Sequence, residues 1–201
     1  FLTRQLPPAV MERLERETEL AWHREDRVAA RAEVIAGMKG REALLCTILD
    51  RVDTELFDAC PGLKIVANIG VGFSNIDVAA ATARKIPVTN TPGVLTDATA
   101  DMTFALLLAV ARRLGEGERI VRADKWEGWQ PLQLLATDVT GATLGVLGFG
   151  RIGQAVARRA KAFGMQVIYW NRSPLPESAE FDATPVSFEA ALRQSDFISL
   201  H

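Results

Sequence analysis

The sequence predicts an α/β protein made of parallel strands with helices on both faces, divided into two units. Short apolar runs alternate with helical patterns along the chain, as βαβ units require. The turn-forming run Asn90-Thr91-Pro92-Gly93 separates one such series from the next. The 201 residues are 48% hydrophobic and 24% charged, an ordinary globular balance and long enough for one or two domains.

The elements follow in order. Leu44–Leu49 reads as a buried strand, and Asp53-Thr54-Glu55-Leu56-Phe57 starts a short helix. Leu63–Ile69 is the next strand. A helix is expected to open at Asn75-Ile76-Asp77 and run through Ala83, with Ser74 or Asn75 as its N-cap. Ile86–Thr89 is a third short strand. The boundary is expected near Pro92–Thr96, giving domains 1–95 and 96–201. A long helix follows from about Thr96 to Leu114, in which Met102, Ala105, Leu106, Ala109 and Val110 recur at helical spacing. A second helix is expected from Glu116 to about Lys125, broken by Trp126-Glu127-Gly128-Trp129-Gln130-Pro131. The second βαβ series starts near Thr143.

Composition excludes several functions. Lys and Arg total 23 against 25 Asp and Glu, a net charge of −2, so no basic excess exists to hold a phosphate backbone and nucleic-acid binding is not expected. The longest apolar run, Phe104–Ala111, is far shorter than the roughly 20 residues of a bilayer-spanning helix. Cys46 and Cys60 offer neither a disulfide framework nor metal spacing, which fits a reducing, cytoplasmic setting. His23 and His201, the two histidines, are too sparse for a His-rich metal site; His23 is expected to be structural or exposed. The chain opens at Phe1 without methionine and stops on the apolar run Phe197–His201, so the sequence is expected to be cut at both ends.

The chemistry centres on Gly148-Phe149-Gly150-Arg151-Ile152-Gly153, a complete G-x-G-x-x-G. The buried strand candidate Leu144–Leu147 precedes it. A helix follows, with Ile152, Val156, Ala160 and Phe163 on one face, and Gly164 ends that helix before a strand, Met165–Trp170. In this setting Gly148 allows the tight turn, Gly150 lets the backbone approach a pyrophosphate, and Gly153 lets helix and strand pack closely. The helix N-terminus then offers unpaired N–H groups to the phosphates. The context identifies a dinucleotide-binding, Rossmann-type turn.

NAD-binding versions place a carboxylate about 20 residues on, at the end of the second strand, to hold the ribose 2′-hydroxyl. Here that place is taken by Asn171, followed by Arg172 and Ser173. A carboxylate would repel a 2′-phosphate, whereas Asn, Arg and Ser offer neutral or positive donors. NADP(H) is therefore expected to be preferred over NAD(H), with Arg172 as the main clamp.

Three motifs in order now carry a family resemblance: Asn68-Ile69-Gly70-Val71-Gly72-Phe73-Ser74-Asn75-Ile76-Asp77, Asn90-Thr91-Pro92-Gly93-Val94-Leu95-Thr96, and the Gly148–Gly153 turn. Together they resemble the D-isomer-specific 2-hydroxyacid dehydrogenases, most closely the glyoxylate/hydroxypyruvate reductases. The resemblance implies a flavodoxin-like substrate domain followed by a Rossmann-type domain, the latter truncated here. It implies that backbone N–H groups around Val71 and Gly72 hold the substrate carboxylate, in keeping with a glycine-rich nest of donors. It implies that Ile48 lies near the substrate. Trp129, the second of the pair Trp126 and Trp129, would reach towards a partner subunit's active site and limit substrate size. The helices from Thr96 to Lys125 fall where the family dimerises, so a homodimer is expected.

The resemblance also implies an Arg that binds the oxoacid, a His that acts as general acid and a Glu that tunes it. All three are expected downstream of the strand ending at His201, which is not itself the catalytic histidine. The chain as it stands is thus expected to have little or no activity, while its full-length parent reduces glyoxylate or hydroxypyruvate. Other branches, such as a phosphoglycerate-type dehydrogenase, stay open on the sequence. So do a dinucleotide-sensing binding module or corepressor and a truncated, non-functional product.

Overall fold

Strand–helix alternation builds two parallel sheets in the computed structural model, which describes residues 1–173, 175 and 181–201. The chain divides into two units, Phe1–Gly93 and Val94–His201. The two sheets are those of a mixed α/β protein with a Rossmann-type second unit, as the sequence predicts.

In the first unit, β1 (Ala43–Thr47), β2 (Ile65–Ile69) and β3 (Val88–Thr89) lie side by side in that order. β1 and β2 pair from Ala43 with Ile65 to Thr47 with Ile69. Leu44, Cys46 and Val66 are buried from these strands, and Val34, Met38, Leu56 and Phe57 pack with them. The thiols of Cys46 and Cys60 are free and buried; burial is the first cause that pushes Cys46 up to about 12. Helix α3 (Thr54–Ala59) starts where its N-cap Asp53 accepts a hydrogen bond from the Leu56 N–H. Two helices that are not among the expected elements, α1 (Pro8–Glu17) and α2 (Arg31–Met38), precede β1. Proline at the first turn of α1 suits a position whose N–H has no helical partner.

Several boundaries differ from expectation: β2 starts at Ile65 and not Leu63, β3 at Val88 and not Ile86, and two further differences have a clear cause. The fourth helix, α4, spans Val78–Ala83 and is capped by Asp77, whose carboxylate accepts from the Ala80 N–H at 2.8 Å. Asn75 is not the cap, because its amide is spent on the Thr47 and Asp50 carbonyls, at 3.2 and 3.0 Å. β1 ends at Thr47, not Leu49, because Asp50 turns the chain there: its Oδ2 accepts from the Thr47 N–H, the Thr47 hydroxyl and the Thr3 hydroxyl. Ile48 therefore stands outside the strand and is 56% exposed.

Ahead of α2, His23 is buried, the structural one of its two expected settings, and its Nδ1 lies 3.1 Å from the Glu25 carbonyl. Glu33 accepts from both terminal nitrogens of Arg27 and, at 2.6 Å, from the Ala30 N–H. Its bonds to Arg27, and then to that N–H, lower its carboxyl from 4.5 to about 2. A carboxyl depressed by folding adds stability that is complete above its unfolded value and is lost as pH falls through its folded one. The Glu33→Gln variant is expected to lose part of the pH dependence of melting between about pH 5 and pH 2. Melting temperatures across that window check this; parallel curves for the two proteins would refute it.

The second unit contains four parallel strands in the order β6-β5-β4-β7: β4 (Thr143–Leu147), β5 (Gln166–Trp170), β6 (Ala183–Pro185) and β7 (Phe197–Leu200). Renumbered within the unit, that order is 3-2-1-4, the leading part of a doubly wound dinucleotide sheet. Its core gathers Leu144 and Val146 of β4, Val156 and Ala160 of α7 (Arg151–Ala162), and Val167 and Tyr169 of β5. Phe163, expected on the same face as Val156, is 40% exposed but stacks on Phe104. Ser187 caps α8 (Phe188–Gln194) by accepting from the Ala190 N–H.

Helix α5 (Thr96–Ala111) starts where expected and ends before Leu114, and α6 (Leu114–Arg122) lies slightly earlier than expected. α5 packs Ala100, Phe104 and Ala111 inward, and Arg159 of α7 bonds to Asp97 and Asp101 on it. Met102, Leu106 and Val110, the stripe that reveals the helix in the sequence, point outward and are 59%, 60% and 74% exposed. The periodicity is that of a second apolar face, because α5 is apolar nearly all round. No helix among the described residues is long and apolar enough to cross a membrane.

Candidate functional site

Two loops at the C-terminal ends of parallel strands bring together most of the residues singled out by the sequence. Each is built by its own unit.

In the second unit, β4 ends at Leu147 and the chain turns sharply into α7. The turn lies between β4 and β7, where the strand succession changes side: β5 and β6 lie on one side of β4 and β7 on the other; ligands of open α/β sheets bind at such a switch point. Gly148 has φ +98°, and a Cβ there would run into the backbone carbonyl of His201. A Cβ on Gly153 would meet the Gly148 carbonyl and Val146, so glycine lets the helix lie against the strand. Gly150 differs: it is the N-cap of α7 and a Cβ on it would meet nothing. Among the described residues, the N–H groups of Gly150, Arg151 and Ile152 donate to no acceptor. This open row at the positive end of a helix, with a glycine facing empty space, fits a pyrophosphate.

Phe149 stands apart from that row. The sequence groups it with the ligand-facing residues, but its ring is fully buried, stacked on Tyr169 at 4.1 Å and edge-on to Phe181 at 5.8 Å. Its N–H donates to the Asn171 Oδ1 at 3.1 Å. The only sequence signal for this is that an aromatic residue inside a glycine turn needs a pocket for its ring.

Asn171 follows β5 directly. Its Nδ2 donates to the Ser173 carbonyl at 2.8 Å, so the one side chain ties the glycine turn to the loop after β5. Its amide thus already bonds within the protein at both ends. Arg172 and Ser173 are exposed. At β7 the Ser199 Oγ and His201 Nε2 are 2.8 Å apart, and burial lowers the imidazole below its ordinary value. Trp129 is 80% exposed in the segment after α6, and Trp126 is half-exposed.

In the first unit, the chain leaves β2 at Ile69 and forms the turn Gly70–Asn75. Ile48 packs against Gly70 so closely that a Cβ on Gly70 would strike its side chain. Ile48, Val71 and Gly72 are therefore neighbours, although Ile48 is an exposed turn residue and not the buried strand residue expected. The carbonyls of Gly70, Val71 and Gly72 accept from the Thr91 N–H, the Asn90 Nδ2 and the Asn68 Nδ2, at 3.0, 2.8 and 2.7 Å. Asn68 and Asn90 lie inside the motifs that carry the family resemblance, but sequence reading gives neither a role. Their bonds depend on strand register, which spacing alone does not display.

Known proteins agree with this architecture. Residues 104–201 match the family model described as D-isomer specific 2-hydroxyacid dehydrogenase, NAD binding domain. The whole chain is 48% identical over 206 residues to a glyoxylate reductase from Thermococcus litoralis, and spans 62% of that protein. It superposes on the TT0316 protein from Thermus thermophilus with a TM-score of 0.91 at 47% identity, covering all of this chain and 63% of that one. It also superposes on a dehydrogenase from Rhizobium meliloti with a TM-score of 0.76 at 38% identity, covering all of this chain and 68% of that one. With the glycine turn, the 3-2-1-4 sheet and these matches in agreement, the chain belongs to the D-isomer specific 2-hydroxyacid dehydrogenase family.

Proposed function

We propose that this chain is part of an NADPH-dependent reductase of a small 2-oxoacid, glyoxylate or hydroxypyruvate, and forms its dinucleotide turn and its carboxylate-binding loop. The observation that carries this reading is the open row of N–H groups from Gly150 to Ile152 at the end of β4. The glyoxylate reductase from Thermococcus litoralis supports the substrate class.

The roles divide by unit. Residues before about 95 act as the substrate domain and those after as the dinucleotide domain. The nicotinamide dinucleotide supplies a hydride to the substrate carbonyl when bound. Gly148 and Gly153 shape the turn, while Gly150, Arg151 and Ile152 hold the pyrophosphate through backbone donors. Phe149 anchors the turn through the core, and Asn171 holds it to the adjacent loop. Arg172, with Ser173, takes the 2′-phosphate. Val71 and Gly72 orient the oxoacid through its carboxylate, with Ile48 as an apolar wall beside them. Trp129 restricts substrate size from across a homodimer. The exposed apolar stripe of α5 (Met102, Leu106 and Val110), together with Leu114 and Val121 of α6, is the surface that dimerisation would cover. The buried free cysteines suit a reducing, cytoplasmic compartment.

A developing alkoxide needs a proton donor and a nearby cation, worth several kcal/mol in the transition state. The family resemblance assigns these to an Arg, Glu and His beyond His201. The residues up to His201 are therefore expected to bind dinucleotide on their own with little or no turnover. The full-length protein is expected to oxidise NADPH with glyoxylate and hydroxypyruvate, followed by nicotinamide absorbance. Tight NADPH binding with no turnover on any small 2-oxoacid would overturn the reductase assignment.

A further inference from the structure

We propose that Asn68 and Asn90 are positioning residues that aim three consecutive backbone donors, the N–H groups of Val71, Gly72 and Phe73, at the substrate carboxylate. The inference rests on the carboxylate-binding role proposed for this loop. It adds both the device that orients the loop and a third donor, Phe73.

The argument is one of peptide geometry. In a trans peptide the C=O and the next residue's N–H point in opposite directions across one rigid plane, and no peptide in the described chain is cis. Fixing a carbonyl therefore fixes the N–H of the following residue. The Gly70 carbonyl accepts from the Thr91 N–H at 3.0 Å, which turns the Val71 N–H the other way. The Val71 carbonyl accepts from the Asn90 amide at 2.8 Å, which does the same to the Gly72 N–H. The Gly72 carbonyl accepts from the Asn68 amide at 2.7 Å, which sets the Phe73 N–H. Among the described residues, none of these three N–H groups has an acceptor of its own. Three successive carbonyls are thus held inward and three successive donors left open, in an exposed turn where a Cβ on Gly72 would meet nothing.

The two asparagines are themselves held. Asn68 is buried, and its Oδ1 faces the Asn75 Nδ2 at 3.4 Å and the Cys46 Sγ at 3.7 Å. Those donors occupy its oxygen and leave its Nδ2 for Gly72. Asn75 in turn bonds the Thr47 and Asp50 carbonyls, fastening the loop to the end of β1. Asn90 stands just beyond β3, next to Thr91, so the end of that strand supplies two of the three clamps. A hydrogen bond already made at each carbonyl also polarises its peptide and strengthens the opposite N–H as a donor. The loop is a preformed receptor for one carboxylate, ordered before substrate arrives.

Asn90 is the better test, because Asn68 is buried and its loss could unfold the loop. In the full-length protein, Asn90→Ala and the bulk-preserving Asn90→Leu are each expected to raise the KM for the 2-oxoacid about tenfold. The dissociation constant of oxalate, a non-reacting carboxylate probe, is expected to rise by a similar factor. The kcat, the NADPH affinity and the melting temperature should stay close to wild type. Oxalate binding in wild type that is unchanged in both variants would overturn the clamp and leave the reductase reading intact. A matched fall in kcat, NADPH affinity and melting temperature would make Asn90 merely structural and also overturn the clamp. Absence of both oxalate binding and 2-oxoacid turnover in wild type would overturn the underlying reading and the clamp with it.

Discussion

Replacing Gly148 by valine is expected to lower the melting temperature of the dinucleotide unit by ten degrees or more, with at least a hundredfold loss of dinucleotide affinity, by order of magnitude. Two costs add. A β-branched residue held at φ +98° is strained by about 1–3 kcal/mol. Its Cβ would also press on the His201 carbonyl, and overpacking of this kind costs about 1–3 kcal/mol more. The sum is a large part of the roughly 5–15 kcal/mol that holds a domain folded. The neighbouring Gly150→Ala variant separates fold from ligand, because its added Cβ meets no protein atom. It should melt like wild type and lose dinucleotide affinity about tenfold or more, since the methyl group would stand where the proposed site takes the pyrophosphate. Thermal melts with cofactor titrations test both. Unchanged affinity in Gly150→Ala would remove the phosphate site from this turn.

Arg172→Ala is expected to lower the NADPH-to-NADH ratio of kcat/KM by about tenfold to a hundredfold in the full-length protein. A charge-assisted hydrogen bond to a phosphate is worth about 1.5–3 kcal/mol, and NADH makes no such bond. The position matters because Asn171, one place earlier, already bonds the Phe149 N–H and the Ser173 carbonyl. Under the proposed NADPH preference, discrimination would fall to Arg172 and Ser173, both exposed after β5. Asn171→Asp should shift the same ratio the same way: its carboxylate can still accept from Phe149, but it repels the 2′-phosphate. Initial rates with both cofactors decide the matter. A ratio unmoved by Arg172→Ala would show that this arginine takes no part in cofactor choice.

Much of the architecture is legible in the sequence because it is written in short-range patterns. Strand–helix alternation, the Asp53 cap and the glycine turn between β4 and α7 each depend on residues within a few positions of one another. The first helices differ: α1 carries Val10, Met11 and Leu14 at helical spacing, a legible pattern left out of the expected elements, whereas α2 is short and apolar nearly all round and shows no stripe. The α4 cap is misplaced by sequence because Ser74, Asn75 and Asp77 are all competent caps locally. The choice goes to Asp77 only because Asn75 is needed by the carbonyls of Thr47 and Asp50.

By itself, then, the sequence determined an α/β chain with parallel sheets, a glycine turn between strand and helix at Gly148–Gly153 and membership of one family. Periodicity, capping and glycine spacing are local, and their meaning survives without the rest of the fold. Only the tertiary structure decided which members of each motif are buried and which are open to solvent. It turned Phe149 into the core, put Ile48 in an exposed turn, left one stripe of α5 outward, and joined Asn68 and Asn90 to the same loop. Those outcomes depend on contacts between residues far apart in the chain, set by strand register and by which buried polar group claims which carbonyl. Such competition has no signature in spacing, because each side chain's partner is chosen only when the parallel strands are already side by side.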